Sequence, residues 1–183
     1  MKSLTKIFLF IPLCFLLLSN SCKKTGINSL PPATQTGANT FGCLVNGKAW
    51  IPTGGGVGSG INPTSGGFYV TPDGKINIYI KAYSYNDYID IYLKQITHPG
   101  TYYLNKNTGV SPNFVYPESY GAYFINSASD YFVTDTAHTG IVRITYADTI
   151  NTIASGTFEM KLYRKNTNEV INITDGRFDY RTH

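Results

Sequence analysis

Beyond residue 40, no stretch of this chain repeats apolar residues at helical spacing over three turns, which argues against helical bundles and alternating helix–strand folds. Metal-binding signatures are equally scarce. The histidines are His98, His138 and His183, and none belongs to a His-Glu-x-x-His pair or another close ligand spacing. No Gly-x-Ser-x-Gly elbow and no calcium-binding EF-hand loop occurs. The glycine-rich "GGGVGSG" lacks the Lys-Ser/Thr ending of a phosphate loop, and no helical pattern follows it. No basic run exists beyond Lys23-Lys24, so nucleic acid is not an expected partner. No cofactor is expected either.

What is present begins with a sorting signal. Lys2 and Lys6 precede an uncharged apolar run from Ile7 to Leu18, followed by Ser19, Asn20 and Ser21. That order is the layout of a secretory signal. The run is about a dozen residues, short of the roughly 20 that span a bilayer as a helix, and Pro12 interrupts it. Small residues ahead of Cys22 resemble a bacterial lipoprotein signal, with residues 1–21 removed and Cys22 lipidated. Ser19 stands where the lipoprotein pattern prefers Leu, so an ordinary cleaved signal and an uncleaved anchor stay as alternatives. A lipid on Cys22 makes the membrane the first partner.

Processing changes the composition. Of three cysteines, Cys14 leaves with the signal and Cys22 is blocked, so Cys43 is the one free thiol and no internal disulfide forms. Loss of Lys2 and Lys6 lowers the basic count from 15 to 13 against 11 acidic residues, and the net charge from +4 to +2. Fifteen Tyr and ten Phe, with many Gly, Thr and Asn, favour strands and turns.

Residues 22–39, rich in Pro, Gly, Thr and Asn, read as a flexible tether to a single antiparallel β domain over 40–183. Asn46-Gly47 suits a two-residue hairpin turn that sets Cys43 opposite Trp50 and Val45 opposite Lys48. Cys43 then shares a face with Phe41, Val45 and Trp50, as a small buried hydrophobe. Gly54 to Gly67 reads as a mobile loop. Pro72-Asp73-Gly74 fits a three-residue loop pairing Val70 with Ile76 and Phe68 with Ile78, which keeps the apolar residues on one face. A turn at Tyr85-Asn86 sets Ile80 against Ile91 and Ile78 against Leu93. The opposite face pairs Tyr83 with Tyr88, Lys81 with Asp90 and Tyr79 with Tyr92. Further strands are expected in "HPGTYYL", "YGAYFIN", "DYFVTD" and "TGIVRITYAD", with Asn105 to Glu118 irregular. Near the C-terminus, a turn through Lys165 to Asn168 pairs Leu162 with Ile171 and Met160 with Ile173. Asp175-Gly176 is expected to turn the chain again, setting Ile173 against Phe178 and Ile171 against Tyr180. The result is a β-sandwich of about ten short strands in meanders, with a barrel as the alternative.

Two features bear on function. Asp87 and Asp90, like Asp130 and Asp135, are an odd number apart and face opposite sides of a strand, so neither makes a glycosidase-type pair. Asp148, Asp175 and Asp179 read as turn and solvent-facing residues. The face carrying Tyr79, Tyr83, Tyr88 and Tyr92 around Lys81 and Asp90 is the binding candidate, since aromatic rings suit sugars or a protein partner. The structural reading of this face weighs more, since Tyr is a good strand residue and such a face can be covered by another segment or simply solvated.

The stretches "SCKK", "TFGCLVNGKAWIP" and "SGTFEMKLY…ITDGRFDYR" resemble a family of small lipoproteins of unknown function from Bacteroidota. The resemblance implies export and a lipid anchor and brings no catalytic residues. Acidic residues after the lipidated cysteine often accompany surface display in that group. Lys23-Lys24-Thr25-Gly26 has none, which points to an outer-membrane anchor facing the periplasm. Three readings stand: a non-catalytic envelope protein binding a partner or ligand, a glycan-binding accessory lipoprotein using the tyrosine face, and an envelope hydrolase with converging carboxylates.

Overall fold

Four of the five hairpin registers expected from turn chemistry are the ones observed. In the computed structural model, which describes residues 29–55, 60, 62–106, 118–126 and 129–182, Cys43 pairs with Trp50 and Val45 with Lys48. Asn46 and Gly47 between them both take the left-handed conformation, at φ 49° and 79°. Val70 pairs with Ile76, Phe68 with Ile78, Ile80 with Ile91, Lys81 with Asp90, and Met160 with Ile173. The expected signal peptide, Cys22, the first part of the tether, and 107–117 lie outside the described residues.

Among the described residues, twelve strands are joined in one sheet. They are β1 (Thr40–Val45), β2 (Lys48–Trp50), β3 (Gly54–Gly55), β4 (Thr64–Val70), β5 (Ile76–Tyr85) and β6 (Asp87–Leu93), then β7 (Gly100–Leu104), β8 (Tyr120–Ile125), β9 (Tyr131–Val133), β10 (Gly140–Asp148), β11 (Ile153–Arg164) and β12 (Glu169–Arg181). Their order is β2-β1-β12-β11-β9-β8-β6-β5-β3, with β10 and β7 branching from β11 and β4 lying on β5. The pairs are antiparallel except β3 with β5. The fold is all-β, as expected, and the sheet curls into a half-barrel, between the sandwich and the barrel.

Strand β11 causes the curl. One edge pairs with β12 from Ile153 to Arg164. The other edge pairs first with β10 and then, at Tyr163, with β9. The sheet therefore forks into two layers. A shared core fills the space between them, with Ile78, Ile80, Ile89, Ile91 and Leu93 from one layer and Phe41, Cys43, Val142, Phe158, Leu162 and Phe178 from the other. Cys43 is fully buried, and that burial pushes its thiol up to about 12.

Four expectations are corrected. Asp175-Gly176 does not turn the chain, because β12 runs through it alongside the long β11. The left-handed Asp175, at φ 54°, instead forms a bulge where the register shifts between Phe158 and Met160. Phe178 and Tyr180 consequently pair with Gly156 and Ala154, not with Ile173 and Ile171. Gly176 is needed for its missing side chain, since a methyl there would sit 2.5 Å from the Phe158 ring. Second, Thr64–Gly67 is strand, paired with β5 from Ala82 to Tyr79, and not part of a loop.

Third, Asp179 is not solvent-facing but completely buried. It accepts six hydrogen bonds: from Thr34 Oγ1 (2.6 Å), Thr36 N (3.0 Å), Thr36 Oγ1 (3.3 Å), Gly37 N (2.8 Å), Ala38 N (3.1 Å) and Ser155 Oγ (2.7 Å). Burial works against the charge. The hydrogen bonds from Thr34, Ser155 and the backbone of Ala38 and Thr36 outweigh it and hold the carboxyl far below its usual range. Fourth, residues 29–39 are therefore docked on the domain and are not a flexible tether. Leu30 is buried, and the Pro31 carbonyl accepts from Arg177 Nη1 at 3.3 Å.

Two outcomes are expected. Gly176→Val should lower the urea midpoint by an amount equivalent to about 1–3 kcal/mol, since the Phe158 ring must be displaced. Asp179→Ala leaves buried donors unpaired and should cost on the order of 3 kcal/mol. It should also expose the arm to proteolytic cleavage between residues 33 and 39. The Asp179 carboxyl is depressed in the folded state. Its contribution is thus present above the unfolded value and is lost as pH falls through the folded one.

Candidate functional site

The outward face of β5, β6, β8 and β9 is built in three rows by the alternation of strand side chains. The first row runs Tyr83, Tyr88, Phe124, Tyr131. Its ring centroids are 5.5 Å, 4.1 Å and 5.3 Å apart in turn, with Tyr88 and Phe124 stacked. The third row is Tyr79, Tyr92 and Tyr120, with Tyr92 and Tyr120 stacked at 6.0 Å. Between them lie Lys81, Asp90, Ala122 and Val133. The sequence-selected residues Tyr79, Tyr83, Tyr88, Tyr92, Lys81 and Asp90 are thus brought together on one face. The structure adds Tyr120, Phe124 and Tyr131, whose strands the hairpin reading left unplaced.

This face is packed rather than open. Tyr92, Tyr120, Ala122, Phe124 and Val133 form a second buried cluster, with Tyr79, Tyr88, Tyr131 and Tyr163 half-buried against it. Each such aromatic contact contributes about 0.5–1.5 kcal/mol beyond area burial. Asp90 lies at its centre and is 3% exposed. Its Oδ2 accepts from the Tyr120 hydroxyl at 3.0 Å and stands 3.6 Å from Lys81 Nζ. Its Oδ1 is buried without a hydrogen-bond partner. Burial is the largest influence and raises the carboxyl above its usual range. Lys81 and Tyr120 pull it only part of the way back.

The open concavity lies at the end of this face, where the curled sheet fails to close. Pro63 O accepts from Tyr83 N at 2.8 Å, so by strand alternation Thr64, Gly66 and Phe68 turn their backbone groups away from β5. There β4 meets the end of β12 without a ladder. Thr182 Oγ1 donates to Gly66 O at 3.2 Å, and the Gly66 backbone also hydrogen-bonds the Tyr180 hydroxyl. Beside these bridges is a cavity of 520 Å³ lined by Asn39, Asn62, Tyr79, Tyr180, Arg181, Thr182 and the start of β4. Its size is that of a small-molecule site. Tyr79 alone among the sequence-selected residues lines it. Tyr180 and Arg181 escaped notice because the expected hairpin at Asp175 placed them elsewhere.

The acids are engaged one by one. Asp87 accepts from the Tyr123 hydroxyl at 2.8 Å, and Asp130 is held by Arg164, whose Nε lies 2.7 Å away. Asp135 pairs with His138 at 3.0 Å, and Asp148 accepts from the backbone of Ile150 and Asn151. Among the described residues, no three His, Cys, Asp or Glu side chains are grouped to hold a metal ion.

A family model described as "Domain of unknown function (DUF6252)" matches residues 65–180, from early in β4 to the close of β12. No curated protein and no solved structure matches the chain.

Asp90 yields a pH signature with a definite sign. Its raised carboxyl contributes stability that is fully present below the unfolded value of about 3.9 and is lost as pH rises through the folded value. Asp90→Asn removes the buried charge. In urea unfolding from pH 4 to 7, the difference in midpoint should therefore move steadily in favour of the variant.

Proposed function

The chain belongs to that family of domains of unknown function, and from this premise we propose that it is a lipid-anchored protein of the cell envelope whose β domain binds a partner or ligand without catalysis. The observation that carries the reading is the cleft between β4 and β12, with Tyr79 and Tyr180 on its walls and Arg181 at its rim. Sites of this kind form at the mouths of curled sheets, where aromatic rings supply contact area and a few polar groups supply orientation. The apolar segment ahead of Cys22 supports export and anchoring, and Lys23-Lys24 supports an outer-membrane position facing the periplasm.

A glycan is the second reading, favoured by the two tyrosines together with Asn39, Asn62 and Arg181 lining one cavity. The cleft, rather than the packed tyrosine rows, is its place in this reading. A hydrolase is favoured less. Asp87, Asp90 and Asp130 each have a separate hydrogen-bond partner and do not converge on the cleft.

Capture of partners from the native envelope with the intact lipoprotein, followed by a glycan array, tests the reading. Tyr79→Ala combined with Tyr180→Ala should weaken whatever is captured by about tenfold or more while the far-ultraviolet spectrum stays unchanged. Capture unaffected by both changes moves binding away from the cleft. Turnover of a captured glycan would replace the non-catalytic reading with the hydrolase.

A further inference from the structure

The arm at 29–39 lies across a particular face of the domain. Leu30 and Pro31 seat against β1, where a methyl added at Gly42 would come within 2.7 Å of Pro31 Cδ. Pro31 O accepts from Arg177, Thr34 to Ala38 close over Asp179, and Arg181 Nη2 donates to Thr36 O at 3.0 Å. The contacted positions share the outward side of one layer. Arg143 pairs with Thr157, Thr157 with Arg177 and Arg177 with Gly42, while Ser155 pairs with Asp179 and Asp179 with Thr40.

We infer that this face of β10, β11, β12 and β1 rests toward the lipid bilayer, with the docked arm as the spacer that holds it there. The inference rests on the proposed lipid at Cys22. Seven residue steps separate Cys22 from Ser29. Covalent geometry limits them to about 25 Å when fully extended. The docked arm therefore removes most of the reach that an eighteen-residue free tether would have, roughly 60 Å at full extension. The chain leaves the domain on the face the arm covers, so that face lies nearest the anchor. The tyrosine rows and the second layer lie beyond it, with packed layers about 10 Å apart.

Charge fits the same occupant. The arm-bearing face carries Arg143, Lys161, Arg177 and Arg181 against Glu159 and Asp175, while the Asp179 carboxylate is enclosed by its six donors. Lys23 and Lys24 lie in the connecting stretch. Basic side chains held this close to a bilayer are attracted to anionic headgroups within a Debye length.

The test uses the full lipidated chain in vesicles of phosphatidylethanolamine and phosphatidylglycerol that carry a headgroup quencher. A fluorophore is placed by Lys161→Cys on the arm-bearing face, or by Tyr69→Cys on the opposite layer. Cys43 is buried with a raised pKa, so it does not compete for the label. Quenching several-fold stronger at position 161 than at position 69 is expected. Lengthening the chain with a Gly-Ser insert after Asn28, outside the docked arm, should shrink that difference without changing the fold, and Asp179→Ala should do the same by releasing the arm. Equal quenching at the two positions in the parent protein, or stronger quenching at position 69, overturns the orientation while leaving the anchor standing. Mass spectrometry showing Cys22 without lipid removes the anchor and the orientation with it. A preference that persists with neutral phosphatidylcholine alone assigns the orientation to the spacer, and one that disappears overturns the spacer as its cause.

Discussion

The double pairing of β11 is the constraint on which the architecture depends. A strand of ordinary length has one neighbour on each edge. This one is long enough to offer its second edge to β10 and then to β9. Two layers thereby diverge from a single hydrogen-bonded strand, and the apolar faces of both close on one core. The bulge at Asp175 lets β12 follow β11 through the bend while its inward and outward sides stay in phase. Without it, Phe178 would turn out of the core and Asp179 would turn in. The seam between β4 and β12 follows from the same geometry, because a sheet that forks at one strand has no further strand with which to close at the other side.

Two buried aspartates show how surroundings decide the fate of one side chain. Asp179 is met by five hydroxyl and amide groups of the arm and by the Ser155 hydroxyl, and it stays ionised. Asp90 has one hydroxyl and one ammonium on a single oxygen and nothing on the other, and its carboxyl is pushed upward. Burial opposes the charge in both. The number of donors aimed at the carboxylate sets the outcome. Asp179 thus works as a latch for the chain ahead of the domain, and Asp90 as a polar point inside an aromatic layer. Together they place the arm on one side of the molecule and the tyrosine rows on the other.

Much of the sheet was legible locally. Asn46-Gly47, Pro72-Asp73-Gly74 and Tyr85-Asn86 each require a particular loop length, and only one register keeps the apolar residues of the flanking strands on one face. The pairs from Cys43–Trp50 to Tyr83–Tyr88 follow directly. Asp175-Gly176 has the same turn chemistry and a different outcome, since left-handed backbone serves a bulge as well as a hairpin. What chose between them was the length of β11, which offers β12 a continuous edge to follow. Half of the tyrosine face was legible for the same reason, through the β5–β6 hairpin. Tyr120, Phe124 and Tyr131 were not, because β8 reaches β6 across β7, which pairs elsewhere with β10, and the connections on either side of it.

The sequence by itself determined the all-β class, the hairpin registers, the burial of Cys43 and which residues share the β5–β6 faces, because these depend on turn geometry and on a two-residue period acting within a few positions. Only the tertiary structure decided that residues 29–39 are docked, that Asp179 is the residue that holds them, and that Tyr79, Tyr180 and Arg181 meet at an open seam. Those outcomes depend on contacts between positions more than a hundred residues apart. No local pattern encodes them, since the donors around Asp179 are ordinary threonines and backbone amides until the fold gathers them around one buried charge.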